Sequence, residues 1–110
     1  MASNDAQHIE ELFRERGVLS GRELLVDWKT ALEIVETCRE LGVGILGLDF
    51  YRNDESGITE VDCRGADFSD FFRLPDGFQL SVAAALRLLS NELPDNADYV
   101  SFVLKSPHSE

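Results

Sequence analysis

The alternation of apolar and polar positions divides the chain into two helices, a hairpin, and a last helix and strand. From Asp5 to about Arg16, Ile9, Leu12 and Phe13 fall on one helical face, with Asp5 in capping position and Gly17 stopping the turn. A loop, Val18-Leu19-Ser20-Gly21-Arg22-Glu23, follows. Asp27 then caps a second helix in which Trp28, Ala31, Leu32, Val35, Cys38 and Leu41 recur at helical spacing until Gly42.

Val43 to Arg52 reads as a strand, because β-branched and aromatic residues are packed between Gly42 and the turn cluster Asn53-Asp54-Glu55-Ser56-Gly57. Ile58 to Cys63 is its hairpin partner. Pairing Arg52 with Gly57 sets Leu48 opposite Val61, Leu46 opposite Cys63 and Phe50 opposite Thr59 on one mostly apolar face, and Asp49 opposite Glu60 on the other. A slip of one residue would place Glu60 beside Phe50, so burial selects the first register, although the turn cluster leaves room for a bulge. The stretch from Gly65 to Gly77 suits a loop with one helical turn. From Ser81 to about Leu93 a third helix carries Val82, Ala85, Leu86, Leu89 and Leu93 on one stripe, and Pro94 ends it. Tyr99 to Lys105 alternates as a final strand, with Val100, Phe102 and Leu104 on its more apolar side. The order α-α-β-β-(short α)-α-β predicts an α+β fold: helices packed on one face of a small sheet of about three strands, in a single domain spanning 1–110 with its ordered part at about 5–105.

Composition narrows the class of function. The chain has 110 residues, 44% of them hydrophobic, with 21 Asp and Glu against 10 Lys and Arg, a formal net charge of −11. That apolar share supports one core, and the charge argues against direct nucleic-acid binding and against docking on anionic membranes, because both need clustered Lys and Arg. A macromolecular partner is expected to be basic. Cys38 and Cys63 match neither a zinc site nor a redox pair and read as buried free thiols. The first residues carry no basic and apolar regions of a signal peptide, and no stretch approaches the ~20 apolar residues of a membrane span, so a cytoplasmic location is expected.

Catalytic chemistry finds little support. His8 and His108 lie near opposite termini, away from any nucleophile. The run Gly42, Gly44 and Gly47 leads into a strand rather than from strand to helix, which suits close helix-to-strand packing and not a phosphate loop. Ser81 lacks a strand-turn-helix elbow and is accounted for as a helix N-cap. Asp49, Glu60 and Asp62 can share a sheet face and admit a divalent cation, yet no further ligand follows at fixed spacing; no cofactor is implied. What distinguishes this face is tyrosine among the carboxylates. Tyr51 follows Asp49, Tyr99 joins from the last strand, and Asp67 and Asp70 lie on the loop after the hairpin. Tyrosine supplies apolar area with a polar tip, and carboxylates steer a basic partner and pair with its Arg or Lys.

The segment Val43-Gly44-Ile45-Leu46-Gly47-Leu48-Asp49-Phe50-Tyr51, preceded by Trp28-Lys29-Thr30-Ala31-Leu32 and followed by a charged, Gly-containing hairpin, resembles the immunity protein 40 family. These are small cytoplasmic proteins of bacterial polymorphic toxin systems. The family pattern sets a Trp before a helix carrying Ala-Leu, then an Ile-Leu-Gly-Gly-Asp-Val-Tyr-like strand, a hairpin, a later helix and a closing strand. Gly47, Asp49 and Tyr51 keep the Gly-Asp-aromatic core, with Leu48 and Phe50 in place of the second Gly and the Val, and the similarity runs over about residues 17 to 105. The resemblance implies a protein that binds and blocks a cognate toxin without catalysis of its own. Asp49 and Tyr51 match its motif; Glu60, Asp62, Asp67, Asp70 and Tyr99 join them from strand register and exposure. Asp49 has a structural alternative, accepting backbone hydrogen bonds where the strand ends. Two other functions stay open. One is a carboxylate or metal-dependent small-ligand-binding protein or enzyme, and the other an assembly role in which Tyr99–Lys105 or Ile58–Cys63 is an uncovered edge pairing between chains.

Overall fold

A computed structural model describes residues 5–20, 23–55, 57–61, 65–91 and 97–105. The elements, in chain order, are helix α1 (Asp5–Phe13), strands β1 (Gly17–Ser20) and β2 (Glu23–Val26), helix α2 (Trp28–Leu41), strands β3 (Gly44–Asp54), β4 (Gly57–Glu60) and β5 (Ala66–Asp67), helix α3 (Gly77–Asn91) and strand β6 (Tyr99–Lys105). Short 3₁₀ turns at Arg14–Arg16 and Ser69–Arg73 join them. The α+β class stands, but the sheet is not a small one of three strands. It has six antiparallel strands, curled, in the order β1-β2-β6-β3-β4, with β5 also on β3. Tyr99–Lys105 is therefore an interior strand between β2 and β3, and β1 and β4 are the edges.

Most of the difference comes from the segment expected as a loop. Val18 and Leu19 pair with Leu25 and Leu24 across the two-residue connection 21–22, in a hairpin closed by Ser20 and Glu23. A Gly at the first position of a two-residue connection between apolar runs is a hairpin signal, outweighed in the sequence by the shortness of each run.

Helix α2 forms as its sequence dictates. The Asp27 carboxylate accepts from the Thr30 N–H at 2.8 Å, and Gly42 ends the helix at φ 75°, where a side chain would be strained. Its buried stripe is Thr30, Ala31, Ile34, Val35 and Cys38, while Leu41 is exposed. Helix α1 is shorter than expected, with Ile9 and Phe13 buried and Leu12 54% exposed. Arg16, from the following 3₁₀ turn, pairs with Glu33 on α2 and lies over the Phe13 ring, 5.3 Å from its centroid. Helix α3 begins four residues before Ser81, so Ser81 is no N-cap. Leu93 and Pro94, expected at its end, lie outside the described residues.

The hairpin register differs from the expected one by two residues. Tyr51 pairs with Glu60, Arg52 with Thr59 and Asp54 with Gly57, so Asp49 does not face Glu60. A two-residue shift preserves faces, and it places buried Phe50 beside buried Val61, whose N–H donates to the Phe50 carbonyl at 2.8 Å. Leu46 does not share the core face with Leu48 and Phe50. A bulge between Ile45 and Gly47 resets the alternation, so that Val43 and Ile45 face the core before it and Leu48 and Phe50 after it. These side chains, with Val26 and Val100, meet Ile9 and Phe13 of α1, Ile34, Val35 and Cys38 of α2, and Val82, Ala85 and Leu89 of α3 in one core. Burial pushes the Cys38 thiol pKa up to about 12. Among the described residues no helix is long and apolar enough to cross a membrane.

Ser81, 0% exposed, accepts from the Ile45 N–H at 3.0 Å and donates to the Phe78 carbonyl. Ser81→Ala would leave that buried N–H without a partner, and urea unfolding should show a loss of about 1–3 kcal/mol. Asp27→Ala should cost about 1 kcal/mol. Because the Thr30 backbone N–H holds the Asp27 carboxyl below its ordinary pKa, this contribution is present above the unfolded pKa near 4 and is lost as pH falls through the folded one. The difference between the wild type and Asp27→Ala should therefore shrink in acid, and a difference unchanged down to the acid limit would contradict the cap.

Candidate functional site

The three helices cover one face of the sheet, and the residues of opposite parity on β2, β3, β4 and β6 form the other. On that outward face Tyr51 sits at the centre of a cross-strand row, opposite Glu60 of β4 on one side and Tyr99 of β6 on the other. Asp49, two residues along β3, faces Ser101. Here the sequence expectation is met in part: Asp49, Tyr51, Glu60 and Tyr99 share a face.

Glu23, the residue missed in the sequence, ties the row together. The Tyr51 hydroxyl donates to Glu23 Oε2 at 2.8 Å, and the Ser101 hydroxyl approaches Oε1 at a longer 3.3 Å, so one carboxylate links β2, β6 and β3. No local pattern marks it: in Glu23-Leu24-Leu25-Val26 three apolar residues follow without alternation, and only the pairing of the strands shows that Leu24 and Val26 face the core. Ser101 and Leu25, also of outward parity, are 3% and 0% exposed, so this face has a packed floor.

The electrostatics follow from that placement. Tyr51 has its pKa pushed well above the ordinary phenol value, first by desolvation, then by the hydrogen bond to Glu23, and then by the charges of Glu23, Glu60 and Asp49. A neutral donor held among three carboxylates cannot ionise easily. The backbone beside it is fixed too, since the Asp98 N–H donates to the Tyr51 carbonyl at 2.7 Å and the Asp98 carboxylate accepts from the Asn53 N–H at 2.8 Å.

The remaining expected residues fall elsewhere. Asp67 is opposite Gly47 on β5, and its carboxylate accepts from the Ser69 N–H at 2.9 Å; hydrogen bonds from the Ser69 hydroxyl first and then from this N–H hold its pKa below the usual carboxylate range. Its role is to start the 3₁₀ turn. Asp70 lies within that turn, almost fully exposed, 3.8 Å from Arg73, and an exposed pair of this kind contributes little. Asp62 and Cys63 lie outside the described residues. The strand-end role considered for Asp49 does not apply, because β3 continues to Asp54. Among the described residues no group of three or more His, Cys, Asp or Glu side chains is placed to hold a metal ion.

In a Tyr99→Phe protein, phenolate absorbance should place the Tyr51 midpoint above the usual value of about 10, and Glu23→Gln should bring it down. A raised folded pKa means that Tyr51 contributes stability fully present below the unfolded pKa and lost as pH rises through the folded one, so wild type should lose its neutral-pH advantage over Tyr51→Phe in alkali. An ordinary midpoint would show that the carboxylates do not surround the phenol.

Comparison of the chain with protein-family models, with curated proteins and with solved structures finds no match.

Proposed function

We propose that this protein is an inhibitor that binds a basic toxin through the outward face of its sheet, acting in the cytoplasm as the resemblance to the immunity protein 40 family implies. The observation that carries the reading is Tyr51 held by Glu23 among Asp49 and Glu60, with Tyr99 opposite, on four adjacent strands. Such a surface suits protein recognition for three physical reasons. Carboxylates in a chain of net charge −11 steer a basic partner and raise its association rate. The tyrosines offer broad, stiff contact area with polar tips. Hydrogen bonds from Tyr51 and Ser101 preorganise Glu23, which reduces the side-chain entropy lost when it meets an Arg or Lys. A toxin that acts on nucleic acid needs a basic surface for phosphate, and an acidic face bound over it would occlude that surface without any chemistry on the inhibitor's side.

The test is affinity capture from the source organism's lysate at low and high salt, with wild type and a Glu23→Gln, Asp49→Asn, Glu60→Gln triple variant compared side by side. Wild type should retain a basic protein that high salt releases, and the triple variant should bind it at least about tenfold more weakly. Co-expression of wild type with that protein should restore the growth of cells it poisons. Identical retention by the two baits, or captured proteins that are harmless to cells, would overturn the reading.

A further inference from the structure

We draw no further inference here: the strongest candidate, the apolar groove between helices α1 and α2 and strands β2 and β6, lined by Ile9, Leu24, Ile34, Phe102 and Leu104 with Glu10 beside them, carries none, because nothing in the structure shows what covers it.

Discussion

A central strand buried on its core face must have its backbone groups paired along both edges, and β3 is the strand on which this constraint falls hardest. One edge is met by a single strand, β6, from Gly44 to Tyr51. The other is met piece by piece as the chain advances. β4 takes Tyr51 to Asp54, the Val61 N–H reaches the Phe50 carbonyl, β5 takes Gly47 and Leu48, the Phe68 N–H reaches the Leu46 carbonyl, and Ser81 on α3 accepts from the Ile45 N–H. Residues 57–61 and 65–68, with Ser81 after them, are therefore laid along one edge. This explains glycine at Gly47, where the Ala66 carbonyl occupies the space of a side chain, and at Gly44, where the Phe72 ring does. It also explains why Asp67 and Asp70 serve turn geometry rather than the sheet face.

The same strand determines which chemistry reaches solvent. Val43 and Ile45 are of one parity and Leu48 and Phe50 of the other, and a regular strand would turn one pair out of the core. The bulge between Ile45 and Gly47 resolves the conflict by adding a residue against β6. Downstream of it Asp49 and Tyr51 are directed away from the helices, in line with Ser101 and Tyr99. The added residue, Leu46, three positions before Asp49 and five before Tyr51, thus decides that the carboxylate and the phenol share the outward face.

Much of this was legible where a local signal was unambiguous. Helix α2 carries a cap at Asp27, a periodic stripe and a left-handed stop at Gly42, and its ends fall where those residues stand. Strand β6 alternates cleanly and spans Tyr99 to Lys105 as read. The hairpin of β3 and β4 was legible only to parity, because burial distinguishes a slip of one residue but not of two, and the choice between a four-residue and a two-residue turn rests on Phe50 packing beside Val61. The apolar run from Val43 to Phe50 hides its bulge, since nearly every position in it can be buried. Hairpin β1–β2 is built from runs of four residues, too short for a period to outweigh a loop, and with it went Glu23. No local pattern marks Glu23, whose importance arises only when three strands bring it to Tyr51 and Ser101.

The two-residue difference in register matters for the electrostatics. In the expected pairing two carboxylates, Asp49 and Glu60, stand directly opposite, a like-charge arrangement that costs stability. The observed pairing puts Tyr51 opposite Glu60 and Ser101 opposite Asp49, so each of these carboxylates has a neutral hydroxyl-bearing side chain across the strand boundary. The acidic residues remain close enough to raise the Tyr51 pKa together, and that rise keeps the phenol protonated and donating to Glu23. Among the described residues no two carboxylates of this face stand directly opposite each other, and the sheet itself holds their side chains in place.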